Sequence, residues 1–496
     1  MADATSSGQL STIDTDIPAR LDRLPWSAWH RRILIGLGTV WILDGLEVTI
    51  VGSIAGAISS RGSGVSISAA QIAGMAASMY VAGACAGALL FGRLTDLFGR
   101  KRLFMVTLGV YLAGTLATAF SWSAPFFFAC RFITGMGIGG EYSAINSAVD
   151  ELIPARHRGR IDILINGTYW AGAAAGALLA VAALHIFSAF LDWRVCFALG
   201  FTLGIGIMIV RRHVPESPRW LFIHGREEAA EAVTRDIERQ VVASTGVELE
   251  AVDETIRIRQ RRSLGLIEVA RGIVERYPKR TALGLALFVG QAFLYNSILF
   301  GYATMLATFF GVSKADAPYY LVAFAAGNLL GPIALGPLFD SVGRRPMIAG
   351  TYLLSGLLLA ITGLLFDRGV LTATTLTLGW CVVFFFASAG VSAAYLTVSE
   401  VFPMETRALA IAIFYAVGTG IGGIIGPQLF GPLVATSSRG PVFGALALGA
   451  GLMAVGGLAE LAFGVRAERK RLEGVAPPLT AESSAPVPSI GSASPG

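Results

Sequence analysis

The chain has 496 residues, of which 54% are hydrophobic and only 14% charged, and it contains 60 glycines. A soluble protein carries charge on about a quarter of its residues, so the composition excludes a water-soluble enzyme and describes a chain that crosses a bilayer many times. The formal net charge of +5 follows from the loops that hold the arginines and is no signal for nucleic acid.

In chain order, residues 1–32 are a polar tail without a signal-peptide run. About 20 mostly apolar residues cross the hydrocarbon core as a helix. Stretches of that kind run over 33–58, 71–92, 103–121, 124–149, 162–188, 195–211, 282–310, 318–338, 347–366, 371–398, 409–433 and 441–464. The expected architecture is an all-α membrane protein of twelve transmembrane helices in two pseudo-symmetric six-helix bundles, over 33–212 and 281–465. The segment 213–280 is too polar to cross. Between Glu227 and Arg262 it alternates charges with Ala, Val and Ile, which predicts short surface helices on a solvated cytoplasmic connector. In the tail 466–496, the part beyond Leu472 is rich in Pro, Ser and Ala and is expected to be disordered.

All Lys and Arg except Arg61, Arg131, Arg194, Lys314, Arg368 and Arg439 fall in the tails and even-numbered loops. Positive residues accumulate on the cytoplasmic side, so both termini are expected there. An excess of Arg over Lys with Ala- and Gly-rich spans points to a GC-rich bacterial source, hence a multi-pass protein of the cell inner membrane. Cys85, Cys130, Cys196 and Cys381 sit in apolar stretches without CxxC spacing, which reads as free thiols. No metal or cofactor motif and no GxxxxGK[ST] loop is present.

The two halves repeat one another. Gly92-x-x-x-Asp96-x-x-Gly99-Arg100 recurs as Gly336-x-x-x-Asp340-x-x-Gly343-Arg344, 244 residues on. Glu151-x-x-Pro154-x-x-x-Arg158 recurs as Glu400-x-x-Pro403-x-x-x-Arg407, and Gly172 and Gly176 as Gly422 and Gly426. Internal duplication of helical bundles, with a substrate path between the copies, is a construction of secondary transporters. The repeated charged residues, with Glu216, lie at cytoplasmic span ends. There they read as a gating latch that closes one side of the path.

An ionisable group at membrane depth is costly and functional by default. Asp44 and Glu47 share a face of the first span, and Arg131 enters from the opposite side in the fourth. A carboxylate away from water holds its proton, whereas a nearby guanidinium favours ionisation, so these three residues are candidates for proton coupling. Glu141, deeper in the fourth span, fits either group. Substrate contacts are expected from polar and aromatic residues within spans: Tyr80, Asn166, Tyr169, Trp170, Gln291, Tyr295, Asn296, Asn328 and Tyr395.

With the duplicated loop, the chain resembles the major facilitator superfamily over nearly its whole length. Arg131-x-x-x-Gly135-x-Gly137-x-Gly139, Pro215-Glu216-Ser217-Pro218-Arg219-Trp220-Leu221 and Ser399-Glu400-Val401-Phe402-Pro403 look like the sugar porter branch and its proton-coupled relatives. Gly139-Gly140-Glu141-Tyr142 is closer to organic-acid and metabolite symporters, and Asp44-Gly45-Leu46-Glu47 is similar to the D-G-F-D signature of aromatic-acid:proton symporters. Gln291 and Asn296 keep a sugar-porter spacing without the intervening Gly, and Tyr395 replaces a sugar-contacting Trp. The resemblance implies a monomeric carrier, not an enzyme, importing a small organic solute with protons. An organic acid, aromatic ones included, is the first expectation. A sugar or polyol symporter, a proton-driven exporter and a non-transporting sensor on a carrier scaffold are the alternatives.

Overall fold

The computed structural model describes residues 12–211, 215–252, 254–259, 265–313, 315–403, 406–470 and 472–476. Within these, a few side chains, that of Asp96 among them, lie outside the described ones. Among the described residues eleven helices are long and apolar enough to cross a membrane: Ala28–Ser53, Ala69–Thr95, Arg100–Ala119, Arg158–Ile186, Asp192–Ile209, Pro278–Phe310, Ala317–Ser341, Arg344–Asp367, Ala373–Val401, Arg407–Ala435 and Arg439–Phe463. With the 29-residue helix Ala124–Leu152 as the fourth, they make twelve spans in two six-helix bundles. Several helices outrun their hydropathic stretches. The first starts at Ala28 and carries Arg31 and Arg32, because a helix continues past the point where its side chains leave hydrocarbon.

Local signals set the ends. Ser68 with Gln71, and Thr372 with Thr375, form capping boxes that start the second and tenth spans. Gly99 and Gly343 adopt φ of +89° and +114° at the turns between the second and third and between the eighth and ninth spans. Only glycine takes that conformation without strain.

Glycine also sets the packing. Added Cβ atoms at Gly83 and Gly87 would lie 2.0 Å from the carbonyl oxygens of Phe132 and Met136, and at Gly135 and Gly139 within 2.0 Å of those of Tyr80 and Ala84. The second and fourth spans therefore touch backbone to backbone. The first and fifth do the same through Gly45 and Gly172, whose added Cβ atoms would lie 1.8 Å from the carbonyl oxygens of Tyr169 and Ile42. In the second half the repeat-equivalent Gly422 would place a Cβ 2.4 Å from the Val289 carbonyl of the seventh span.

The tail and linker are more ordered than a solvated connector. Thr12–Thr15 pairs antiparallel with Ile256–Arg259 of the linker, and helix Ile17–Asp22 lies beside linker helix Glu227–Thr245. Arg20 bridges Glu231 at 2.8 Å and Glu238 at 2.6 Å, and Arg23 reaches Glu238 at 2.6 Å. Asp22 meets Arg158 at 3.4 Å and Arg219 at 3.5 Å. The expected disorder from Leu472 onward is also corrected for its first residues. Leu472–Val475 form a helical turn with Leu472, Val475 and Ala476 buried, held by Arg280 Nη2 donating to the Val475 carbonyl at 3.3 Å. Residues 477–496 lie outside the described ones.

Two outcomes follow from this packing. Gly139→Ala should lower stability by about 1–3 kcal/mol or more, whereas Gly109→Ala, inside a helix with nothing within 4 Å of the added methyl, should be neutral or stabilising by up to about 1 kcal/mol; thermal unfolding in detergent compares them. Burial pushes the Glu238 carboxyl up, but hydrogen bonds from Arg20 and Arg23 outweigh it and hold the group below the usual glutamate range. A depressed value means the stabilisation is complete above that range and lost as pH falls through the lower, folded value. A spin-label distance between positions 15 and 245 should therefore broaden as pH drops below about 4, and Glu238→Gln should broaden it already at neutral pH.

Candidate functional site

Between the two bundles lies a cavity of about 120 Å³. The first half contributes Trp41, Asp44, Tyr80, Tyr142, Asn166, Tyr169 and Trp170 to its wall, and the second half Gln291, Tyr295, Asn296, Tyr395, Tyr415 and Thr419. Aromatic faces dominate. Trp41 stacks on Tyr142 with centroids 4.7 Å apart, Tyr142 meets Tyr415 edge-on at 4.7 Å, and Trp170 tilts against Tyr295 at 5.6 Å. Tyr415 and Thr419 reach the cavity from Tyr415–Ile424, where the eleventh span widens to π-helical geometry. Such widenings recur at functional sites.

The membrane charges divide into two arrangements. Asp44 accepts hydrogen bonds from the hydroxyls of Tyr80 and Tyr142, one on each carboxylate oxygen. Among the described residues no guanidinium or ammonium lies within ion-pair distance of it. Glu47, three residues on, pairs with Arg131 Nη1 and accepts from Thr115 Oγ1 at 2.6 Å; both Glu47 and Arg131 are 1% exposed. Arg131 also lies 4.9 Å over the Tyr80 ring, so the pair and Asp44 share one intervening phenol. Glu141 is buried off the cavity, with Thr107 Oγ1 3.3 Å from its carboxylate.

Of the substrate candidates, Tyr80, Asn166, Tyr169, Trp170, Gln291, Tyr295, Asn296 and Tyr395 all line the cavity. Asn328 does not. It stands behind the wall, accepting from the Tyr295 hydroxyl at 3.2 Å. Arg131 is likewise outside the wall and engaged by Glu47, so it is not placed to grip a substrate anion. Trp41, Tyr142, Tyr415 and Thr419 were not among the expected contacts. Two had a readable signal: Trp41 is three residues before Asp44, and Tyr142 follows Arg131 by eleven, about three helical turns, which puts each on the face of a charge already singled out.

At the ends of the bundles that carry the termini, the repeated motifs build the same pair twice. Arg100 holds Glu151 through both terminal nitrogens, and Arg344 holds Glu400 through Nε and Nη2, each at 3.0 Å. Glu216 accepts from the backbone N–H groups of Arg100 and Lys101 at 3.0 and 3.2 Å, a carboxylate at a helix N-terminus. Ser217 also donates to Glu151. These pairs join helices within one half. Contacts between halves are Arg160 N–H to Asp340 Oδ2 at 2.8 Å and Arg158 Nη1 to the Lys470 carbonyl at 3.3 Å. A Cβ added at Gly159 would meet the Arg344 guanidinium, and one added at Gly336 would lie 3.7 Å from the Arg160 carbonyl oxygen. Arg407 donates to the Ser399 carbonyl at 2.6 Å. Gly92 lies within the second span, and the Asp96 side chain falls outside the described residues. On the far side of the cavity Gln428 donates to Ser78 Oγ at 2.9 Å. Among the described residues no group of His, Cys, Asp and Glu could hold a metal ion.

Two duplicated six-helix bundles closing on a central cavity define a multi-pass membrane transporter. Residues 38–475 match the family model described as Sugar (and other) transporter, and the chain belongs to that family of the major facilitator superfamily. It is 28% identical over 415 residues to the niacin transporter NiaP of Acinetobacter baylyi, covering 83% of this chain and 89% of that protein. It is 26% identical to the 4-hydroxybenzoate transporter PcaK of Pseudomonas aeruginosa, covering 83% and 88%. Among solved structures, the proton:xylose symporter XylE bound to 6-bromo-6-deoxy-D-glucose superposes with a TM-score of 0.72 at 18% identity, covering 90% of this chain and 98% of that one. That last likeness is one of fold.

Because breaking one side of a buried ion pair costs about 3–5 kcal/mol, Glu47→Gln should strongly lower the unfolding temperature by stranding Arg131. Glu47→Gln combined with Arg131→Met should recover most of the loss. Asp44→Asn, which strands no cation, should change it little. Thermal unfolding of the three purified variants tests the division.

Proposed function

We propose that the protein is a proton-coupled importer of a small aromatic acid, working by alternating access in a bacterial inner membrane with both termini in the cytoplasm. The observation that carries this reading is Asp44: a carboxyl in the wall of an aromatic cavity, held only by two phenol hydroxyls among the described residues. A carboxyl held in that way takes up a proton without breaking an ion pair. Glu47 cannot, since its proton would strand Arg131. Asp44 is therefore the exchanging site and the Glu47–Arg131 pair its fixed support.

Cavity size and chemistry support the substrate class. A hydrocarbon cavity of roughly 150 Å³ takes a benzene ring, and this one is of similar size at about 120 Å³. Stacked and edge-on aromatic faces suit a planar ring. Trp41 Nε1, buried and without a hydrogen-bond partner, and the amides of Gln291 and Asn296 are neutral donors for a carboxylate, whereas the Asn166 amide nitrogen is engaged by Asn146 and the Asp162 carbonyl. Niacin and 4-hydroxybenzoate, named for two relatives, are both single-ring aromatic acids.

Gating follows the interface between halves. Arg160–Asp340 and Arg158–Lys470 must part for the cavity to open toward the termini, while Gln428–Ser78 must part for it to open the other way. The buried Arg100–Glu151 and Arg344–Glu400 pairs keep the ends of each bundle rigid. The carrier acts as a monomer, and the direction of net flux follows the gradients.

In proteoliposomes with an imposed inward proton gradient, nicotinate or 4-hydroxybenzoate should accumulate, and accumulation should vanish when the gradient is collapsed. Asp44→Asn should reduce accumulation at least tenfold while leaving counterflow exchange in place. Accumulation of a hexose or polyol in preference to the aromatic acids would overturn the substrate class; undiminished gradient-driven uptake by Asp44→Asn would overturn the coupling.

A further inference from the structure

Away from the substrate cavity, a groove of about 790 Å³ opens where the first and sixth spans meet the linker helix Glu227–Thr245. Its walls are Ile35 and Ile209 on the spans, with Val233 on the linker helix as a roof, and Trp29 and Arg32 line its polar end. Ile35 and Ile209 are 61% and 55% exposed. On helices that cross a membrane, such exposed apolar residues face acyl chains. Arg31 and Arg32 mark the end of the first span where its side chains leave hydrocarbon, which places that end of the groove at headgroup level.

The charge at that end is positive and available. Arg32 and its neighbour Arg31 are exposed, and among the described residues no carboxylate lies within ion-pair distance of either. One acid does line the groove, Asp236, but its two oxygens are engaged by Arg239 Nη2 at 3.1 Å and Gln240 Nε2 at 2.8 Å. An exposed guanidinium at the end of the first span, above an apolar wall on two spans and under an amphipathic helix, matches an anionic headgroup joined to acyl chains. Basic pockets between transmembrane helices bind such headgroups, and a guanidinium binds phosphate in a bidentate manner.

We propose that this groove is a binding site for an anionic phospholipid of the leaflet on the linker side, with the phosphate on Arg32 and the acyl chains along Ile35 and Ile209. A lipid seated there joins the first half of the transporter to the linker helix, which also carries Glu231 and Glu238, the partners of Arg20. Occupancy would thereby hold the linker against the bundle.

Native mass spectrometry of the full-length protein, released from nanodiscs of mixed phosphatidylglycerol and phosphatidylcholine, tests this. The wild-type protein should retain phosphatidylglycerol at least fivefold over its share in the bilayer. Arg32→Gln should lower that enrichment at least threefold. Ala232→Trp, at an exposed position lining the groove, should lower it as much with every charge unchanged, while Arg368→Gln at the far end should not. All three positions are exposed, and unchanged unfolding temperatures would show that the variants fold. Enrichment unchanged in Arg32→Gln and Ala232→Trp, or reduced equally by Arg368→Gln, would overturn the site. So would displacement of phosphatidylglycerol by millimolar inorganic phosphate, which would mark an anion site with no contribution from the acyl chains.

Discussion

Glu47 and Arg131 are closed off from solvent inside the first bundle, and the arrangement of the site depends on their meeting there. Two such charges lose several kcal/mol each on leaving water and recover it only with close geometry and further hydrogen bonds. Thr115 supplies one of these, and the face of Tyr80 covers the guanidinium. Once Arg131 is committed to Glu47, Asp44 is left to the hydroxyls of Tyr80 and Tyr142, and it faces the cavity. The same phenol that lies under the cation donates to Asp44, so a single ring joins Asp44 to the pair. Close approach of the second and fourth spans, enforced by Gly83, Gly87, Gly135 and Gly139, keeps Tyr80 and Arg131 in register.

The duplication makes the asymmetry of the chemistry visible. The offset of 244 that superposes the loop motifs carries Glu47 onto Gln291 and Asp44 onto Phe288, and the offset of 249 carries Arg131 onto Trp380. The second half thus has an amide, a benzyl ring and a buried indole where the first has its ionisable groups. Gln291 reaches the cavity wall; Glu47, its counterpart, turns to the third and fourth spans. One copy of the ancestral module carries the buried ionisable groups, and the other offers neutral donors and aromatic surface. Motif pairs at the span ends show no such divergence, since Arg100–Glu151 and Arg344–Glu400 are built alike.

The duplicated plan, the twelve spans and most of the cavity wall were legible because they depend on residue type and period. Helix ends were less so, as hydropathy marks the edge of hydrocarbon and not the last hydrogen bond. Asp44 and Glu47 read as sharing one face. Three residues along a helix are still about 60° apart around the axis, enough to send one acid to the cavity and the other to Arg131. Pairing of Thr12–Thr15 with Ile256–Arg259 could not be read locally: Ile256–Arg259 alternates apolar and charged residues, but its partner lies on the other side of the whole first half in sequence. The glycines were readable as packing residues, but which carbonyl each one met is a property of the assembled bundle.

Alternating access is cheapest when the rocking bodies are stiff and the surface between them is weakly bonded. The structure has that distribution. The bidentate guanidinium–carboxylate pairs, whose rupture would leave buried charges at a cost of several kcal/mol, run from the third to the fourth span and from the ninth to the tenth. They travel with their own bundle during a rigid-body rotation. Across the interface the hydrogen bonds include Arg160 to Asp340 and Arg158 to Lys470 on one side and Gln428 to Ser78 on the other, from about 1 kcal/mol net for a neutral bond to about 1.5–3 kcal/mol for the one to the Asp340 carboxylate. Binding of a small solute in the cavity is enough to shift a balance of that size. The collar formed by Arg20, Asp22 and the linker helix ties back to the first bundle through Arg158 and Arg219, and so adds stiffness to that body.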